Sequence, residues 1–248
     1  MEKSHIWKQF LNRMNSESVP LNCFRANPII REIPLYEVNT YKEYIDYSYK
    51  IYNNKLYDNL NMWNWAMTHS NQGYTNSLDI YSMDSYQLDS VNTSTYNMKS
   101  NHHYFHYNTL TNQNINDFKN IVELGGGCGD FAKFTLNMGY TGNYTIIDIP
   151  EILEIQRYNL MGYDVNFSSH PISSTNTDTL FISTWALSEC PLEWRDKIIN
   201  ALNPSNWLII YQSNFQDINN NEYFDSWDGL RVDLPFIPWD GGSKYILK

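Results

Sequence analysis

The segment Glu123-Leu-Gly-Gly-Gly-Cys-Gly129 joins two kinds of sequence. Ahead of its glycines, Asn120-Ile-Val-Glu-Leu124 is a short apolar run of strand length. Behind them, Phe131 to Met138 carries helical spacing. Glycine tolerates positive φ and lets a ligand approach the backbone closely. A helix start adds unpaired N–H groups and a positive dipole end, which together can receive an anionic group. The spacing is Gly-x-Gly-x-Gly. A dinucleotide fingerprint needs its third glycine at Asp130 or, starting from Gly126, its second at Cys128. No Gly-Lys-Ser/Thr follows, so a P-loop is excluded. A turn whose glycines serve packing alone is the plain alternative.

Outward from this loop, strand and helix alternate to the C-terminus. Tyr144-Thr-Ile-Ile-Asp148 is a second strand, and Pro150 suits the first turn of a helix over Glu151 to Leu160. Tyr163 to Ser168, Thr179 to Ser183 and Trp207 to Tyr211 supply three more strands, with a helix over Leu192 to Leu202 and Pro204 behind it. Arg231 to Phe236 and Ser243 to Leu247 are expected to pair antiparallel across a reversal at Pro238 and Gly241-Gly242. The predicted class is α/β: a seven-stranded, mostly parallel sheet with helices on both faces. Ligands of such sheets bind beyond the carboxyl ends of the strands, here 123–129, Asp148, Ser169, 183–189 and 212–214.

The chain divides at 117/118. Residues 1–117 are expected to form a mainly helical N-terminal cap over the acceptor side of the site. It has helices near Tyr41 to Leu60 and Asp58 to Thr68, loop or short pieces over 70–100, and a lead-in at Asn101-His-His-Tyr-Phe-His-Tyr107. Among 248 residues, 42 % are hydrophobic, enough for a sizeable core. The net charge of −10, with 17 scattered Lys and Arg, disfavours nucleic acid as a partner, because phosphate contacts need a basic patch. Cys23, Cys128 and Cys190 are odd in number and widely spaced, which suits free thiols rather than a disulfide framework or zinc site. There is no signal-peptide pattern and no run of membrane-spanning length, so the expectation is a cytoplasmic protein without a membrane span.

At the end of the second strand, Asp148 can accept hydrogen bonds from both hydroxyls of a ribose, with Ile149 against an adenine ring. An Asp before Pro is also a common helix N-cap. Three segments together resemble the sugar O-methyltransferase family: Ile121-Val-Glu-Leu-Gly-Gly-Gly-Cys-Gly-Asp-Phe131, which is specific for methyltransferases generally, and Tyr144-Thr-Ile-Ile-Asp-Ile-Pro-Glu-Ile-Leu153 and Leu180-Phe-Ile-Ser-Thr-Trp-Ala-Leu-Ser-Glu189, which point to sugars; Tyr211-Gln-Ser-Asn-Phe-Gln-Asp-Ile-Asn219 also resembles that family's fifth-strand exit. The likeness covers roughly the last half of the chain, and is loose around His102-His103-Tyr104. Cys128 stands where the family more often carries an aromatic residue. The resemblance implies a Rossmann-like methyltransferase fold and S-adenosyl-L-methionine as cofactor, with S-adenosyl-L-homocysteine as product. It places the cofactor against Glu123, Gly125, Gly126, Gly127, Gly129, Asp148, Ile149, Ser169 and Ser183.

Methyl transfer to a sugar hydroxyl needs in-line alignment and benefits from a general base. Glu189, just past the fourth strand, is the first candidate; it is equally placed to begin the helix leading to Leu192. His103 is the second, although an isolated histidine is more often packed or exposed. His102, His106, His170 and Asp217 are further candidates. Tyr104, Trp185 and Gln212 are expected to line a pocket for a small-molecule or glycan sugar, or else to be core. Asp225, Asp228, Asp233 and Asp240 are oxygens of the kind Mg²⁺ prefers, but such a stretch is usually a solvated face, and no metal is expected. The competing functions are a phenol or amine methyltransferase and an inactive cofactor- or glycan-binding module.

Overall fold

The computed structural model describes residues 8, 12, 85–88, 91–173, 178–233 and 243–248. The helices expected over 41–60 and 58–68, together with Cys23, Pro238, Asp240 and Gly241-Gly242, lie outside the described residues, as does the side chain of His102. A hairpin of β1 (Ser85–Leu88) and β2 (Val91–Ser94) leads into α1 (Thr95–Thr111). Then follow β3 (Asn120–Leu124), α2 (Asp130–Asn137), β4 (Asn143–Ile147), α3 (Pro150–Asn159) and β5 (Val165–Ser168). After these come β6 (Thr179–Thr184), α4 (Ala186–Glu189), α5 (Leu192–Leu202) and β7 (Asn206–Gln212). A small ribbon of β8 (Asn214–Phe215) and β9 (Ile218–Asn219) precedes α6 (Asn220–Phe224), β10 (Leu230–Asp233) and β11 (Ser243–Leu247).

The seven-stranded sheet has the order β10-β11-β7-β6-β3-β4-β5. Only β11 runs against its neighbours, so the sheet is mostly parallel, as the alternation predicts. Strand side chains alternate between two cores. Ile121, Tyr144, Ile146, Leu180, Ile182, Leu208 and Ile210 pack with α1 and α2 on one face. Val122, Leu124, Ile147, Phe181, Ile209 and Tyr211 pack with α4, α5 and α6 on the other.

One departure from expectation concerns the N-terminal side. His103 to His106 lie inside the 17-residue α1, which begins within the stretch expected to be loop. Ser, Asn and Tyr favour helix weakly, so packing recruits this segment: Tyr104 and Tyr107, three apart on one helix face, enter the core with Phe134 and Ile121. The Tyr107 hydroxyl also donates to the Lys248 carbonyl at 2.9 Å. Residues on both sides of 117/118 thus pack in the same core cluster.

The chain builds β3, β4 and β5 in one direction, then returns to place β6 on the other side of β3. That reversal is the switch point, where two neighbouring strand exits part and leave a crevice. No helix among the described residues is long and apolar enough to cross a membrane.

Candidate functional site

The glycine loop leaves β3 level with the end of β4, because Leu124 pairs with Ile147, and the Gly125 N–H donates to the Ile147 carbonyl at 2.9 Å. Gly125 has φ +73°, and a Cβ built on it would stand 2.0 Å from the Ala186 Cβ. The loop is thus closed against the first residue of α4. Gly129 caps α2 at φ 87° and makes no side-chain hydrogen bond, so its first N–H groups are not capped by that residue. A Cβ on Gly126 would meet Glu123 Oε2 at 3.2 Å, which puts the Glu123 carboxyl against the loop. Part of the glycine requirement is therefore internal packing.

Glu123 is 1 % exposed and accepts from the Tyr144 hydroxyl at 2.8 Å. Burial pushes its carboxyl up to about 8, against the lowering effect of that hydroxyl. Asp148 is 6 % exposed and is pushed up to about 7, again by burial first, with Glu151 and Glu189 adding like charge. Its Oδ1 accepts the Ile149 N–H at 2.8 Å, and its Oδ2 accepts Gln156 Nε2 at 2.7 Å. Each carboxyl oxygen has a second lone pair for a ligand.

Sequence reasoning missed Gln156 and Asn159. Both project from α3 toward the loop: Gln156 Nε2 also donates to the Gly127 carbonyl at 3.0 Å, and Asn159 Nδ2 to the Cys128 carbonyl at 3.2 Å. Gln156 thereby locks Asp148 to the glycine loop. Its Oε1 is buried and has no hydrogen-bond partner among the described residues. An orphaned acceptor beside a carboxyl invites a hydroxyl donor from a ligand. The only sequence signal was two amides three residues apart on one helix.

The exit of β6 forms the other wall. Trp185 has φ 71°, strained for a bulky residue and costing about 1–3 kcal/mol. Several contacts enforce it: its N–H donates to the Ile210 carbonyl at 2.8 Å, its indole to Ser243 Oγ at 2.8 Å, and its carbonyl accepts Ser188 Oγ at 2.6 Å. Ser183 is buried, with its hydroxyl accepting the Leu187 N–H at 2.8 Å. Ser169, half-buried past β5, bonds His170 Nδ1 at 3.0 Å. Gln212 Oε1 lies 2.8 Å from Ser188 Oγ. Half-buried Glu189 ends α4 and exerts its charge on Asp148.

His103 and Tyr104 are both packed, which is the alternative the sequence offers for each. His103 is 2 % exposed, its Nδ1 is 2.6 Å from the Tyr245 hydroxyl, and its ring sits edge-on to Trp185 at 5.8 Å. Tyr104 is core: its ring packs on Phe134 and its hydroxyl donates to Asn116 Oδ1 at 2.8 Å. Cys128 and Cys190 are both buried. Among the described residues, no group of three or more His, Cys, Asp or Glu is placed to hold a metal ion.

The two raised carboxyls give stability a pH sign. Each holds a proton in the folded state that the unfolded chain releases at about pH 4. Their contribution is full below that pH and is lost as pH rises through about 7 for Asp148 and about 8 for Glu123. The slope is at most about 1.4 kcal/mol per group per pH unit. Melting temperature is expected to fall by several degrees between about pH 5.5 and about pH 8.5, and by less in Glu123→Gln. Equal melting temperatures in the wild type would rule out protonated buried carboxyls.

No family model matches the chain, and no curated protein does. Solved structures match part of it. A structure of PigF with SAH has a TM-score of 0.42 and 10 % identity over 62 % of this chain and 58 % of that one. The pyocyanin biosynthetic protein PhzM has a TM-score of 0.43 and 12 % identity over 61 % of this chain and 56 % of that one. A SAM dependent methyltransferase from Aquifex aeolicus has a TM-score of 0.39 and 14 % identity over 56 % of this chain and 85 % of that one. The chain thus spans little more than half the length of the first two.

Proposed function

We propose that the chain is an S-adenosyl-L-methionine-dependent methyltransferase acting on a sugar hydroxyl, of a nucleotide sugar or a glycan. The observation that carries the cofactor reading is the coupling of Asp148 to the glycine loop through Gln156, with Gln156 Oε1 left orphaned beside it. In this reading the start of α2 and the backbone of Gly125 to Gly129 receive the methionine carboxylate, with Glu123 supporting the loop. Asp148 and Gln156 take the ribose hydroxyls, Ile149 lies against the adenine, and Ser169 and Ser183 border it. The cofactor supplies an activated methyl group on a sulfonium; the chain supplies alignment.

Glu189 accepts the proton of the acceptor hydroxyl as that oxygen attacks. Trp185 offers a ring face to a sugar, and Gln212 reads its hydroxyls. His103, bonded to Tyr245 and packed against Trp185, supports that wall rather than serving as the base.

Calorimetric titration of the wild type with S-adenosyl-L-homocysteine tests the cofactor reading, with micromolar affinity expected. No binding would sink it. Transfer of labelled methyl groups to nucleotide sugars and oligosaccharides, set against phenols and amines, then tests the acceptor. Turnover of phenols or amines alone would make it a small-molecule methyltransferase, and binding without any turnover an inactive module. Glu189→Gln is expected to keep the affinity and lose turnover by about 10²-fold or more.

A further inference from the structure

Arg195 is fully buried on α5, one turn before Ile198 of the core. Among the described residues no carboxylate lies within ion-pair distance of its guanidinium. Three neutral oxygens hold it instead. Nε donates to the Cys190 carbonyl at 2.8 Å, Nη2 to the Ser188 carbonyl at 2.6 Å, and Nη1 to Asn220 Oδ1 at 2.7 Å. The Tyr223 ring covers the group, 4.8 Å from its centroid.

Ser188 and Cys190 are the residues on either side of Glu189. Two nitrogens of one rigid plane therefore pin the backbone before and after that carboxyl. The third reaches the neighbouring strand exit: Asn220 Nδ2 donates to the Gln212 carbonyl at 2.8 Å, and the Asn220 N–H to the Ser213 carbonyl at 2.9 Å. A buried charge facing only dipoles is a poor source of stability, and an apolar side chain of similar volume is often as good. What arginine adds is a fork of fixed geometry, which the point charge of lysine lacks.

We infer that Arg195 is a positioning residue, which fixes the backbone on both sides of Glu189 in register with the exit of β7 at Gln212. This deepens the reading of Glu189 given above and rests on it. Besides burial, the groups that act on the Asp148 carboxyl are the Ile149 N–H, Gln156 and Glu151 from α3, and Glu189 from α4; Asp148 in turn acts on Glu123 from β3 and on Cys190. Glu189 is the carboxyl among these that lies between the two residues whose carbonyls Arg195 holds. Released from the fork, the backbone that carries Glu189 loses its tie to the exit of β7.

The test follows the titration of Asp148 by carboxyl-carbon NMR in the free full-length protein. Glu189→Gln is expected to lower the Asp148 midpoint by about half a pH unit, because a like charge is removed. Arg195→Lys is expected to lower it in the same direction, and the double variant no further than Glu189→Gln alone. A general loss of stability would lower the melting temperature without moving that midpoint. An unmoved midpoint in Arg195→Lys, or in Glu189→Gln, overturns the inference. Should Arg195→Lys not fold, the wild type decides. A guanidinium held at all three nitrogens gives separate, slowly exchanging proton signals, and one averaged signal overturns the inference. Failure of the cofactor reading is visible separately, as absence of S-adenosyl-L-homocysteine binding to a protein whose Asp148 still titrates.

Discussion

Asp148→Ala is expected to weaken S-adenosyl-L-homocysteine binding by at least about a hundredfold while moving the melting temperature by only a few degrees. A hydrogen bond to a charged group contributes about 1.5–3 kcal/mol. Two ribose hydroxyls on one carboxylate then amount to about 3–6 kcal/mol, or roughly 10²- to 10⁴-fold in affinity. Opposing effects hold the stability nearly level. Burial has pushed the Asp148 carboxyl up to about 7, so its removal relieves a desolvation cost. The same removal strands the Ile149 N–H and the Gln156 amide, which now bond to it. Calorimetry and a thermal melt on the same sample separate the two. Wild-type affinity in the variant would sink the ribose assignment.

Gly125→Ala is expected to be the most destabilising single methyl in the site. The residue sits at φ +73°, where alanine costs about 1–2 kcal/mol, and its Cβ would stand 2.0 Å from the Ala186 Cβ. Overpacking of that kind adds about 1–3 kcal/mol. A loss of about 3 kcal/mol lowers the melting temperature by roughly 6–12 °C in a chain of this size. Gly162→Ala isolates the first contribution, since Gly162 has φ +92° and an added methyl there would meet nothing within 4 Å. Ala186→Gly in the Gly125→Ala background isolates the second, because it removes the clashing atom. If the double variant is no more stable than Gly125→Ala alone, contact between the glycine loop and α4 is not the cause.

That contact marks the border between what was legible in the chain and what was not. The strands at 120–124 and 243–247 and the helix at 192–202 fall where the sequence pattern places them. Their apolar runs and periodicities are local properties, as is the proline at the first turn of α3. α1 was harder to read, because it owes its helix to Tyr104 and Tyr107 entering a distant core rather than to propensity.

Within the site the same distinction holds. The glycine loop and the acid at the end of the next strand could be recognised from spacing, because positive φ and strand termination are decided within a few residues. The roles of Gln156 and Arg195 could not. An amide on α3 or an arginine on α5 carries no local mark of its partner, and Arg195 reaches Asn220 across 25 residues of chain. The burial of His103 against Trp185 and Tyr245 was equally hidden, since Tyr245 is 142 residues away. By itself, then, the sequence determined the alternation of elements and the two turns that follow β3 and β4. Only the tertiary structure decided that β6 lies beside β3, that Ala186 closes on Gly125, and that one guanidinium ties two strand exits together. Backbone conformation answers to neighbours in the chain. Strand order and side-chain pairing answer to how both faces of the sheet are buried at once.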